Sequence, residues 1–212
     1  MATPPFTVLV VCTANVHRSP LTAALLRHRL DERFGPRARR VRVLSAGTRA
    51  ATGTPVDPTT ARVVTELSGA PPPGGGSRPL DAGLVADADV VLALAREHRA
   101  AVVELVPAAQ RRTYTLPELA RIATSLTGPG TGRPGADPAA GWRALLAAAP
   151  ALRGPTAPAD PATDDVPDVH GRPLQEHRRT AERVGRDLDA VLDAVAQRST
   201  GSGSGSTAVS GW

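Results

Sequence analysis

Apolar residues come in short runs parted by polar, glycine- and proline-rich stretches, and the runs are of two kinds. Residues 6–11 are almost continuously apolar and rich in β-branched side chains, with Pro4 and Pro5 ahead of them. That pattern predicts a strand buried on both faces, as in a parallel sheet. A short polar stretch, TANVHRSP, follows. Next comes LTAALLRHRL, where Pro20 suits a first helical turn and Leu21, Ala24, Leu25 and Leu30 form an apolar stripe. The alternation then repeats. Strands are predicted at 41–44, 90–94 and 112–115, and helices at 58–67 and 97–105. Repeated strand–helix units predict a three-layer α/β/α fold with a central four-stranded parallel sheet.

The rhythm fails between about 122 and 163, where Gly, Pro, Ala and Thr dominate and only WRALLAAA (142–149) is weakly helical. This predicts a mobile insertion within one domain of residues 1–198. From Leu174 the spacing of Leu174, His177, Ala181, Val184, Leu188, Val191, Leu192 and Val195 predicts a long amphipathic helix, on which His177 is a packing residue. Residues 199–212 read as a flexible Gly/Ser tail.

Composition narrows the class. Hydrophobic residues are 41% of 212, enough for a real core, while aromatics are only 2%. All 25 basic residues are arginine, against 20 acidic ones, and the net charge of +5 permits anionic partners without requiring them. Eight arginines lie between Arg27 and Arg49, against Asp31 and Glu32 alone; they read as a solvated helix face rather than a nucleic-acid surface. The lone cysteine, Cys12, excludes an internal disulfide, a CxxC redox pair and a cysteine zinc site. No apolar run is long enough for a membrane span, and the first residues lack the basic start and apolar stretch of a signal peptide. A soluble, reducing, cytoplasmic setting is expected. The histidines His28 and His98 show no metal-ligand spacing, and no metal or cofactor is expected.

Chemistry concentrates where the first strand ends. Cys12 is followed six residues later by Arg18, then Ser19. The spacing alone is weak, because with 25 arginines in 212 residues about one cysteine in eight has such a neighbour by chance. Context strengthens it. The loop feeds a helix N-terminus, whose unpaired N–H groups and dipole favour an anion and, equally, a thiolate. Arg18 adds a planar fork for two phosphate oxygens, and Ser19 can donate to sulfur. A buried free cysteine closing a core strand is the competing reading, and the residues alone leave both open.

VLVVCTANVHRSP resembles the signature loop of the low-molecular-weight protein tyrosine phosphatases, C-x-x-N-x-x-R-S-P after a strand. The resemblance continues through SAGT (45–48), GTPVDP (53–58), ADADVVLALAREHR (86–99) and DDVPD (164–168), in the family's order. It implies a protein-tyrosine-phosphatase that hydrolyses phosphate monoesters on phosphorylated proteins, through a phosphocysteine and without metal. Cys12 inherits the nucleophile role and Arg18 the binding of equatorial oxygens. Thr13, Ala14, Asn15, Val16, His17 and Ser19 inherit the substrate-binding loop, Asn15 holding its strained turn and Ser19 bonding the thiolate. The acid that protonates the leaving oxygen and later activates water matches Asp168, with Asp164 and Asp165 as neighbouring competitors.

The chain also departs from the family. His17 stands where many members carry a second cysteine, so no resolving thiol exists; it is expected as a partly exposed loop side chain. Val169 and His170 replace the usual proline and aromatic, and RAATG (49–53) supplies no second aromatic wall. Val16 matches the tyrosine-directed branch, whereas the phosphoarginine-directed branch tends to carry threonine there. Phosphoarginine or a small phosphomonoester is therefore the alternative substrate. A non-catalytic phosphate- or nucleic-acid-binding module on the same fold is the alternative of a different class.

Overall fold

The computed structural model describes residues 4–128 and 137–199. Four strands, β1 (Phe6–Cys12), β2 (Val41–Gly47), β3 (Val90–Ala93) and β4 (Thr113–Thr115), form one parallel sheet in the order β2-β1-β3-β4. Every residue of β1 and β3 is buried, as continuous apolar runs require. Alternation along β1 divides the core. Phe6, Val8, Val10 and Cys12 face one side and Leu9 and Val11 the other.

The first side is covered by α1 (Arg18–Phe34), α2 (Pro58–Ser68), α5 (Leu116–Leu126), α6 (Pro138–Ala148) and α7 (Leu174–Arg198). The second is covered by α3 (Ala82–Asp87) and α4 (Arg96–Leu105), through Val85 and Val102. This is the three-layer α/β/α architecture expected from the strand–helix repeat. The chain runs outward from β1 to β2 and then crosses back to β3. Loops leaving β1 and β3 therefore splay apart at the carboxyl edge of the sheet, where such folds open a crevice for ligands.

One expectation is overturned. The described part of 122–163 is not loosely held: α5 continues to Leu126, and α6 buries Trp142 and Leu145 completely against the core. Trp142 stacks on Phe6 with ring centroids 5.7 Å apart. The glycine and alanine content that suggests disorder here serves close helix packing instead. A Cβ on Gly141 would lie 2.0 Å from the carbonyl oxygen of Val195, so α6 reaches α7 only because residue 141 has none. Residues 129–136 of the expected insertion, and the expected tail from 200 on, lie outside the described residues.

Candidate active site

The loop after β1 is built around Asn15. This residue holds the left-handed conformation (φ 56°), which asparagine tolerates better than most side chains. Both ends of its side chain are engaged. Oδ1 accepts the Arg78 backbone N–H at 2.8 Å, and Nδ2 donates to Ser19 Oγ at 2.8 Å. Its backbone N–H points at Cys12 Sγ, 3.3 Å away. Ser19 Oγ lies 3.0 Å from the same sulfur and 3.4 Å from the Ala46 carbonyl. Since Ser19 already receives Asn15, its one proton is left for the sulfur or that carbonyl, and a thiolate is the stronger acceptor. The sulfur is buried and free, with donors converging on it.

The end of β2 fixes the loop from outside. Thr48 N–H donates to the Cys12 carbonyl at 2.9 Å and Arg49 N–H to that of Thr13 at 2.8 Å. A Cβ on Gly47 would sit 2.5 Å from the Thr13 carbonyl oxygen and 2.9 Å from Asn15 N, so glycine alone allows this approach.

Arg18 opens α1 and is only 5% exposed. Its Nη2 donates to Asp168 Oδ2 at 2.9 Å and to Thr13 Oγ1 at 3.3 Å, and Nη1 donates to the Val166 carbonyl at 3.3 Å. Val166 is itself tied to the end of β3 through Leu94, at 2.8 Å, which anchors the segment carrying Asp168. Thr13 Oγ1 also lies 2.9 Å from His98 Nε2. Burial first, and the nearby Arg18 charge second, push His98 down to a pKa of about 4. A neutral His98 can accept a hydrogen bond from the Thr13 hydroxyl, leaving the oxygen's lone pairs free to receive Arg18. Burial raises the Asp168 carboxyl, but the His170 backbone N–H and the charges of Arg18, His17 and His170 together oppose it, so the net shift is downward.

A cavity of about 230 Å³ opens between these groups, lined by Cys12, Thr13, Ala14, His17, Arg18, Asp168 and His170. Of the residues expected to bind substrate, Thr13, Ala14 and His17 reach it by their lining. Asn15, Val16 and Ser19 do not; Asn15 and Ser19 are buried behind the loop as its scaffold. Asp164 and Asp165 are held elsewhere, by Arg121 and Arg96 respectively. Asp168 alone of the three acids lines the cavity.

One histidine expectation needs correction. His17 is not a partly exposed loop side chain but 8% exposed. Its Nδ1 lies 3.1 Å from Thr60 Oγ1 and 3.7 Å from Asp57 Oδ1, and its Nε2 lies 3.2 Å from His170 Nδ1. Burial lowers its pKa, with Asp57 partly opposing. His177 packs, as expected, but its Nδ1 also meets Thr60 Oγ1 at 3.2 Å. The contacts of His170 and His177 span more than a hundred residues, and no local spacing signals them.

Four of the eight arginines of the arginine-rich stretch are engaged internally. Arg29 and Arg33 pair with Asp189 and Asp193 of α7, Arg40 pairs with Asp137, and Arg27 donates to the Val43 carbonyl.

A profile of the low molecular weight phosphotyrosine protein phosphatase family matches residues 7–124. The low molecular weight protein-tyrosine-phosphatase Etp of Escherichia coli K12 is 36% identical over 106 residues; the match takes in 50% of this chain and 66% of that protein, slightly under two thirds of its length. Among solved structures, the YwlE arginine phosphatase from Geobacillus stearothermophilus superposes with a TM-score of 0.59 at 24% identity, covering 88% of this chain and 90% of its own. A low molecular weight phosphotyrosine phosphatase from Vibrio cholerae O395 gives 0.63 at 19%, covering 89% and 95%. At these identities the structural likeness speaks for the fold.

Proposed function

The chain belongs to the low molecular weight phosphotyrosine protein phosphatase family, and we propose that it hydrolyses phosphate monoesters on phosphorylated proteins, phosphotyrosine foremost, through a phosphocysteine. The observation that carries this is one cavity lined by a thiol, a guanidinium and a carboxyl: Cys12 within hydrogen-bond reach of Ser19 and Asn15, with Arg18 and Asp168 beside it.

In the first step the Cys12 thiolate attacks phosphorus. The S–P bond forms as the ester P–O bond breaks, and Asp168 gives its proton to the leaving oxygen. In the second step the Asp168 carboxylate takes a proton from water, whose oxygen attacks phosphorus. The S–P bond then breaks, inorganic phosphate departs and the thiolate returns. Arg18 holds equatorial phosphate oxygens through both steps.

A carboxyl paired with Arg18 is a poor acid, which assigns substrate binding a second role. An arriving phosphate dianion competes for the guanidinium, and the loss of that cation together with the new negative charge favours the protonated carboxyl. The Arg18–Asp168 ion pair is thus the resting form, exchanged for Arg18–phosphate when substrate enters.

Phosphoarginine is the second reading. The described cavity lining contains no phenylalanine, tyrosine or tryptophan; its side wall is His17 and His170, so the sandwich that an aryl ring would use is missing. A cytoplasmic, reducing setting suits a lone thiol nucleophile. No helix among the described residues is long and apolar enough to cross a membrane.

Hydrolysis of an aryl phosphate at pH 5 to 7, without metal and with reductant, tests the proposal. Cys12→Ser should be inactive and Asp168→Asn slower by about 10²- to 10⁴-fold. Full activity of Asp168→Asn would reject it as the acid, and an inert wild type with a titratable thiol would reject the enzyme. Relative kcat/KM on phosphotyrosine and phosphoarginine peptides separates the two substrates.

A further inference from the structure

Beside the cavity, three side chains from distant parts of the chain converge. His17 comes from the phosphate loop, Asp57 caps the N-terminus of α2, and His177 lies in the first turn of α7. One ligand atom from each lies within 4.8 Å of the other two. We propose that His17, Asp57 and His177 form a binding site for a single zinc-type divalent ion, separate from the chemistry at Cys12.

The donor set selects the metal class. Two imidazoles and one carboxylate suit a borderline transition metal such as Zn²⁺, whereas Mg²⁺ and Ca²⁺ favour all-oxygen sets. Burial favours an organised site. His17 and His177 are 8% and 3% exposed, while the Asp57 side chain, at 29%, leaves an entry path. Asp57 Oδ1 holds the Thr60 backbone N–H at 2.9 Å and lies 3.7 Å from His17 Nδ1, so the carboxylate faces the imidazoles while it caps the helix.

Thr60 Oγ1 lies between the two imidazoles, 3.1 Å from His17 Nδ1 and 3.2 Å from His177 Nδ1. Zinc–nitrogen bonds of about 2.0–2.1 Å would draw the donors to roughly 3.3 Å apart. The side chains would rotate to reach that spacing, with the Thr60 hydroxyl turning aside or remaining as a fourth, oxygen, ligand. An ion on His17 Nδ1 leaves the proton on Nε2, which then donates to His170 Nδ1 at 3.2 Å. That is the orienting contact a metal-bound imidazole ordinarily makes. The bound ion would tie the phosphate loop, α2 and α7 together and stabilise the folded chain.

Zinc titration of the reduced full chain against a chromophoric zinc indicator, with thermal unfolding in parallel, tests this. The wild type and Cys12→Ser should each bind one ion and gain thermal stability. His177→Gln, which keeps a polar partner for Thr60, and Asp57→Asn, which keeps the cap, should each weaken binding by roughly tenfold or more. Co²⁺ should give the visible bands of a nitrogen–oxygen site without a thiolate charge-transfer band. Loss of binding in Cys12→Ser, or a charge-transfer band, would assign the ion to the nucleophile and overturn the proposal. So would unchanged binding in both ligand variants, or no binding by the wild type. Circular dichroism checks folding, and if His177→Gln does not fold, Asp57→Asn decides. Because Cys12→Ser is inactive but should still bind zinc, this result stands apart from the fate of the phosphatase reading.

Discussion

Single residues here carry constraints far out of proportion to their size, and His98 carries one that pH can expose. It is 1% exposed, bonded to Thr13, and held at a pKa of about 4 by burial and the Arg18 charge. Unfolded, it would titrate near its ordinary 6.5. Above that value neither state binds the proton, and His98 makes no pH-dependent contribution. Between 6.5 and 4 the unfolded chain takes a proton that the folded one refuses, so stability falls as pH falls. The full span is on the order of 3 kcal/mol. Denaturation midpoints across that range should decline in the wild type, and His98→Asn should flatten the decline; an unchanged slope would assign it to another group. At this scale the sequence is legible where partners are adjacent. Cys12, Arg18 and Ser19 lie within eight residues, and the strand–helix junction explains their convergence. Asp168 became legible only through resemblance to a family, since Asp164 and Asp165 are equal to it in local chemistry. His17 was misjudged because a loop position says nothing about the 43 and 153 residues that separate it from Thr60 and His170.

At the level of elements, the buried strands were plain from their continuous apolar runs, and α1, α2, α4 and α7 from their periodicity. Two other helices were obscured by composition. Helix α5 follows β4 with no loop between, yet its start carries a signal: Thr115 and Glu118 form a capping box, the threonine accepting the Glu118 N–H and the glutamate accepting the Thr115 N–H. A threonine followed three residues later by glutamate, ahead of an apolar stretch, marks that start. Helix α6 hides in a Gly/Pro/Ala-rich stretch whose small residues permit contact with α7. Its anchor is Trp142, fully buried and stacked on Phe6 at the start of β1, remote from the carboxyl edge that holds the cavity. Trp142→Ala should cost about 3–5 kcal/mol of stability, the usual result of deleting a buried aromatic. The kcat/KM of the remaining folded protein in the aryl-phosphate assay should change little. Urea denaturation and aryl-phosphate kinetics together check this, and a small stability loss would show that α6 contributes little to the core.

Across the whole molecule, the site is assembled from both ends of the chain. The loop at 12–18 supplies thiol and guanidinium, the end of β2 braces it, and the segment around Asp168 reaches it after more than 150 residues. Charge follows the same plan. Arg29 and Arg33 of α1 pair with Asp189 and Asp193 of α7, so this part of the basic stretch joins the two helices. Such exposed pairs add little stability each, typically under about 1 kcal/mol. A ligand that engages the cavity acts on a larger scale. An inert oxyanion such as sulfate, drawn into the cavity by Arg18, should bind only the folded chain. At a concentration of 100 Kd it should add about 2.7 kcal/mol of stability. For a chain near 200 residues that corresponds to a rise in Tm of roughly 5–10 °C. Arg18→Ala should abolish most of this rise, whereas Arg18→Lys should keep part, because a point charge attracts the anion without the two-pronged geometry. Should Arg18→Ala retain the full shift, the oxyanion would be bound at another arginine-rich surface, and the partner exchange between Asp168 and phosphate would lose its basis.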